Sequence, residues 1–147
     1  MKLKQIVVSI ENSPGRLLEV TEALGRAGIN LRALNLVDNG AFGQLRLLVS
    51  DVVKARRILM EMQIPAYVND VVAAEIEDKP GSLARVLGPL NSAGVNVVFM
   101  YAFIGFSQGK AVMIFRFSDN DRAVEILKAN GVSLVDAESF GILETGS

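Results

Sequence analysis

Two short stretches concentrate the side chains and backbone able to hold a small ligand: Asn12-Ser13-Pro14-Gly15-Arg16-Leu17 and Asp78-Lys79-Pro80-Gly81-Ser82-Leu83. Each precedes apolar residues at helical spacing, so each marks a helix start. A helix start leaves its first N–H groups unpaired and carries partial positive charge, which makes it a natural anion site. Gly15 and Gly81 lack a Cβ and let a carboxylate approach the backbone. Arg16 adds a positive charge in the first stretch, where Ser82 stands in the second. Asn30 and Asn96 lie where the next strand begins, and their side-chain oxygens can accept from an α-amino group. The same residues also have plain structural uses. Asn12, Ser13 and Asp78 can cap a helix, and Pro14 suits a first helical position. Gly15 and Gly81 can relieve a tight turn, and Asn30 and Asn96 suit the turn after a helix-ending Gly. Arg16 can be a solvated first-turn side chain.

Other chemistry is excluded by composition. The 147 residues include no His, no Cys and no Trp. Without His the commonest general base and the commonest transition-metal ligand are missing. Without Cys there are no disulfides, thiolate nucleophiles or zinc-thiolate sites. Glu75 and Glu77 share a strand face by period and are read as part of a sheet. Asp119 and Asp121 sit near a helix start and read as capping and dipole residues. Neither pair has calcium-loop spacing. No glycine-rich phosphate loop occurs, and Phe106 to Gly109 reads as a hairpin turn. The expectation is a protein that is not an enzyme and needs no cofactor or metal.

The charge balance, 15 Lys and Arg against 16 Asp and Glu, offers no basic field for nucleic acid or an anionic membrane. Half the residues are apolar and 21% are charged, which argues against disorder. The longest nearly apolar stretch, Val97 to Phe106, falls well short of the roughly 20 residues a membrane helix needs. No targeting segment is read at the start, so a cytoplasmic location is expected.

The chain repeats itself. Ile10 to Leu31 aligns without gaps on Ile76 to Val97 at an offset of 66, with 10 of 22 positions identical. Unrelated segments of ordinary composition would match at about two. Further on, Ala55, Ile58 and Leu59 fall on Ala123, Ile126 and Leu127. Two repeats follow, 1–70 and 71–147.

Each repeat reads as β-α-β-β-α-β. Gln5 to Glu11 is a strand by its Ile and Val content. Ser13-Pro14 opens a helix whose apolar face is Leu17, Val20, Leu24 and Ala27, with Gly28 just past its end. Ile29 to Val37 and Gln44 to Ser50 are strands around Asp38-Asn39-Gly40. Asp51 opens a second helix burying Ala55, Ile58, Leu59 and Met62, and Ala66 to Val68 closes the repeat as a strand. Gly88-Pro89 falls inside the first helix of the second repeat, where an internal Pro predicts a kink. Leu83, Val86, Leu90 and Ala93 keep the helix. The fold class is α+β: two ferredoxin-like repeats, each an antiparallel sheet with its helices on one face.

The repeated segment resembles the ACT domain. The match is a strand, then (Asp/Asn)-x-Pro-Gly-x-Leu, a helix, and Gly-(Ile/Val)-Asn opening the next strand. It is met at residues 12–17 with Gly28-Ile29-Asn30, and at residues 78–83 with Gly94-Val95-Asn96. The resemblance implies amino-acid sensing: ACT domains pair side by side and bind a small ligand, usually an amino acid, where two domains meet. It implies a ligand site made from Asn12, Ser13, Pro14, Gly15, Arg16, Leu17 and Asn30, and from Asp78, Lys79, Pro80, Gly81, Ser82, Leu83 and Asn96. ACT domains are normally attached to an enzyme or a DNA-binding domain, whereas here two modules fill the chain. The alternative is an adaptor with an empty site that pairs with a metabolic enzyme.

The second repeat is unusually apolar. Val97 to Ile104 and Ala111 to Phe117 are apolar on both faces save Arg116, and seven of the nine aromatics lie at or beyond residue 99. A face so apolar is rarely left open on a monomer. A homodimer burying that face is expected. The alternative is a pocket, or a crossing of the two repeats within one chain.

Overall fold

In a computed structural model, which describes all residues but 12, 105, 106, 146 and 147, the chain divides into two compact units. The N-terminal unit is Lys4–Asn69 with Ala137–Ser147, and the C-terminal unit is Met1–Leu3 with Asp70–Asp136. These units differ from the repeats 1–70 and 71–147 at both ends of the chain.

The N-terminal unit starts with β1 (Leu3–Glu11), α1 (Arg16–Arg26), β2 (Leu31–Asp38), β3 (Phe42–Val49) and α2 (Val52–Glu61). The next strand, β4 (Ala66–Glu77), gives its first four residues to this unit and the remainder to the other. Antiparallel β3 lies between β1 and β2, with Val8 opposite Leu45 and Leu36 opposite Leu45 from the other side. Val20 and Leu24 of α1 and Val52, Ala55 and Leu59 of α2 are buried, as are Ile6, Val8, Leu45 and Leu47. The helical spacing of 3 and 4 and the strand spacing of 2 put these residues on the facing sides of two layers.

The C-terminal unit takes the rest of β4, then α3 (Ser82–Ser92), β5 (Val97–Ile104), β6 (Lys110–Phe117), α4 (Asn120–Ala129) and the short β7 (Ser133–Leu134). β4 pairs antiparallel with β6 on one side and β7 on the other, and β5 pairs with β6. Val72, Ala74, Met113, Phe115 and Phe117 form one core with Val86 and Leu90 of α3 and Ala123 and Leu127 of α4. The Phe115 and Phe117 rings stack at 4.9 Å. A single twelve-residue strand is therefore the last strand of one unit and the first of the next.

Three expectations are corrected. The helices do not open at Ser13-Pro14. The turn runs through both residues, and α1 begins at Arg16, because Gly15 takes a left-handed φ of 87° and interrupts the helical path. Gly81 does the same ahead of α3 with φ 83°, and neither helix has a side-chain cap there. Second, Met62 is the residue that ends α2 and is only half-buried, so it does not extend the buried face. Third, the second face of the C-terminal sheet is closed along β6, while Phe99 and Tyr101 of β5 are half-buried. Val112 and Ile114, on the side away from Met113 and Phe115, are fully buried within this single chain, so those two residues need no second chain to cover them. β5 does leave Val98 60% exposed.

Elsewhere the local reasons hold. Asp51 and Asp119 begin α2 and α4, and each carboxylate accepts from the backbone N–H three residues on, at 3.0 Å. α1 and α3 end alike: Ile29 N–H donates to the Leu24 carbonyl at 3.0 Å and Val95 N–H to the Leu90 carbonyl at 2.9 Å, which closes the last turn over otherwise unpaired carbonyls. α3 continues through Pro89, whose missing N–H is offset by the buried Val86 and Leu90 on either side of it.

Segments near both ends are held. In the N-terminal unit α5 (Ala137–Phe140) buries Phe140, Ile142 follows it into the core, and Leu143 exchanges backbone hydrogen bonds with Ser50 (2.8 Å) and Val52 (2.9 Å). In the C-terminal unit the Lys2 ammonium meets the Asp121 carboxylate at 2.8 Å. That exposed pair lowers the pKa of Asp121 and raises that of Lys2.

Candidate functional site

The two glycine-marked turns have the same construction. In the N-terminal unit Ser13 N–H donates to the Glu11 carbonyl (2.9 Å), Arg16 N–H to the Ser13 carbonyl (3.3 Å) and Glu19 N–H to the Gly15 carbonyl (2.9 Å). In the C-terminal unit Ser82 N–H donates to the Lys79 carbonyl (3.2 Å) and Arg85 N–H to the Gly81 carbonyl (3.1 Å). A Cβ on Gly15 would meet nothing within 4 Å. Space above that backbone is open, and only its conformation demands Gly.

Beside the first turn lies a cleft of about 150 Å³ lined by Ile10, Glu11, Ser13, Leu17, Leu36, Asp38 and Gly43. It lies at the end of β1 and β2 and the beginning of β3, against the first turn of α1. One wall is apolar, from Ile10, Leu17 and Leu36. Glu11 and Asp38 supply the carboxylates, the latter also accepting from Gly40 N–H at 2.9 Å. Arg16 is close by but neutralised: its guanidinium pairs with Glu19 at 2.7 Å, while its Nε is buried with no hydrogen-bond partner among the described residues.

The second turn borders a larger cleft of about 620 Å³ in the C-terminal unit. Its lining includes Glu75, Glu77, Ser82, Arg85 and Lys110, with the Asn130–Ser133 turn closing it. Ser82 is buried and accepts from the Arg85 guanidinium at 3.1 Å. Glu77 is paired with Lys79, and that hydrogen-bonded ammonium holds its carboxyl below the usual carboxylate range. Glu75 accepts from the Ser107 hydroxyl at 3.0 Å.

Of the residues expected at the site, Ser13 and Leu17 line the first cleft and Ser82 the second. Pro14, Gly15, Asp78, Lys79, Pro80 and Gly81 are exposed in the turns, and Leu83 is half-buried against the C-terminal core. Asn12 lies outside the described residues. Within its own unit, neither Asn30 nor Asn96 is brought to the turn. Each sits beyond the far end of its helix, and 11 helical residues span about 16 Å. Their backbones bind there instead: Asn30 N–H donates to the Ser50 hydroxyl (2.8 Å), and Asn96 N–H to the Ser118 hydroxyl (3.0 Å). Sequence reasoning missed Arg85 and Lys110. The alignment that pairs Ile10 with Ile76 sets Arg85 against Glu19, a charge reversal that was available as a signal. Among the described residues no group of His, Cys, Asp or Glu is arranged to hold a metal ion, and no helix is long and apolar enough to cross a membrane.

The ACT domain pair family matches residues 1–143. Among solved structures, protein BT0572 from Bacteroides thetaiotaomicron is 39% identical, covering 97% of this chain and 98% of its own, with a TM-score of 0.91. The regulatory subunit of aspartate kinase from Thermus thermophilus is 18% identical over 86% of this chain and 91% of its own, with a TM-score of 0.62, and that from Thermus flavus is 17% identical over 87% and 92%, with a TM-score of 0.57. The Thermus subunits share the fold. No curated protein matches the sequence. Twin turns at fixed spacing, two βαββαβ units and a match over nearly the whole length agree: the chain belongs to the ACT domain pair family.

Proposed function

We propose that this protein is a regulatory module that binds a free amino acid at the Gly15 turn, and that it acts as a homodimer on a metabolic enzyme in the cytoplasm. One observation carries the ligand reading: open backbone above Gly15 stands next to a cleft with an apolar wall and two carboxylates. The first-turn amides of α1 would take the ligand's carboxylate, Glu11 and Asp38 its ammonium, and Ile10, Leu17 and Leu36 its side chain. The cleft is small beside the 300–1,000 Å³ typical of drug-sized pockets, which favours a ligand of few heavy atoms.

The dimer reading rests on β2. It is the edge strand of its unit's sheet, and Leu34 and Leu36 are 50% and 47% exposed on the side that faces the core. An exposed edge strand with apolar side chains invites pairing with another chain. Regulation of an enzyme is supported by the family, and by the fold shared with the regulatory subunits of aspartate kinase from Thermus.

Calorimetric titration of the full chain with each of the twenty amino acids tests the ligand. At least one is expected to bind at millimolar or lower concentration, and Gly15→Val is expected to weaken it about tenfold or more. Absence of heat for all twenty at about 10 mM would leave the adaptor reading. Light scattering should give twice the chain mass, and the mass of one chain at micromolar concentration rejects the dimer.

A further inference from the structure

The two units share a backbone plan, but their charges at corresponding places differ. On α1, Arg16 and Glu19 neutralise one another at 2.7 Å. The aligned residues on α3 are Ser82 and Arg85. There, among the described residues, the guanidinium's hydrogen-bond partner is a neutral hydroxyl, at 3.1 Å. The same guanidinium reaches over the turn, where a Cβ added at Gly81 would lie 3.4 Å from Arg85 Nη1. The strand positions differ likewise. Glu11 faces Phe42 across β1 and β3, whereas Glu77 faces Lys110 across β4 and β6. A glutamate and a phenylalanine in one unit are thus an arginine and a lysine in the other.

The consequence is a different distribution of charge. The C-terminal cleft is lined by two cations, Arg85 and Lys110, and two carboxylates, Glu75 and Glu77, with Lys79 outside the lining. Glu77 is held by Lys79, and Glu75 is engaged by the Ser107 hydroxyl. Among the described residues neither Arg85 nor Lys110 forms an ion pair, yet both line the same cleft of about 620 Å³. Two cations that line one recess outside any ion pair favour a ligand with anionic oxygens, which a guanidinium binds through parallel N–H donors and an ammonium as a point charge.

We propose that the cleft between Arg85, Lys110 and the Asn130–Ser133 turn is a second ligand site, specific for the carboxylate or phosphate group of a small molecule, with no equivalent in the N-terminal unit. It is a different cleft from the one read above as the amino-acid site, and it stands whether or not an amino acid binds there. Arg85 and Lys110 grip the anion, and the buried Ser82 hydroxyl sets the position of the guanidinium.

The test is titration of the isotope-labelled full chain with sodium phosphate and, separately, sodium succinate, against sodium chloride at matched ionic strength. Amide shifts are expected at Ser82 to Arg85, Lys110 and Asn130 to Ser133, saturating by about 10 mM. Saturation by succinate alone assigns a carboxylate ligand, and by phosphate alone a phosphate ligand. Arg85→Gln and Lys110→Gln are each expected to weaken binding about tenfold or more, while Arg57→Gln on the exposed face of α2 leaves it unchanged. Both cations are surface side chains, so the fold should survive, and unchanged far-UV dichroism checks it. Shifts equal to those from chloride, shifts confined to other residues, or full affinity in both variants would overturn the proposal.

Discussion

Gly15 and Gly81 adopt φ near +85° at the step from turn to helix, a region that L side chains enter only at a cost. Around Gly15 nothing lies within 4 Å of the missing Cβ, so strain alone sets the penalty for filling it. Gly15→Ala is expected to lower stability by about 1–2 kcal/mol, read from a urea unfolding midpoint. A loss below about 0.3 kcal/mol would mean that the turn can shift its conformation. These glycines were legible in the sequence because both repeats place Gly where a strand must turn sharply into a helix. Arg85 was not. A charged residue on an amphipathic helix reads as solvated surface, and nothing in its spacing tells that it reaches the Gly81 turn or lines one cleft with Lys110. Asn30 and Asn96 do not join the turn of their own unit for a similar reason. Their motif lies close to the turn in sequence terms, yet a full helix separates the two.

At the scale of elements, order and type were legible and boundaries less so. Period 3.6 in Val20 and Leu24, and period 2 in Leu45 and Leu47, specify which faces are buried, and burial decides the fold more firmly than propensity. Ser13-Pro14 carries the usual marks of a helix start, but the left-handed glycine that follows overrides them. Asp51 and Asp119 are the true side-chain caps, at the second helix of each unit. Asp51→Ala and Asp119→Ala should each cost about 1 kcal/mol, with amide exchange quickening in α2 for the first and in α4 for the second. Equal protection in variant and parent would show that the caps are dispensable. Pro89 illustrates the opposite balance: an unfavourable residue is tolerated inside α3 because Val86 and Leu90 bind the helix to its sheet.

For the whole molecule, duplication was legible and the placement of the termini was not. Residues 137–143 have no periodicity long enough to read, and a four-residue helix with one buried ring is decided by the surface it meets. That segment nevertheless places Phe140 and Ile142, 5% and 6% exposed, in the N-terminal unit. Phe140→Ala is expected to destabilise the protein by about 3 kcal/mol or more. Its mark should be faster amide exchange at Val52, which donates to the Leu143 carbonyl. A change under about 0.5 kcal/mol, as at an ordinary surface position, would show that the segment merely rests there.

Lys2 belongs to the unit made mostly from the second repeat, and Phe140 to the unit made mostly from the first. The chain is in this sense laced by its own ends. Neither repeat therefore carries its whole unit: cut at the repeat boundary, the first half would lose the cover that Phe140 and Ile142 give its core.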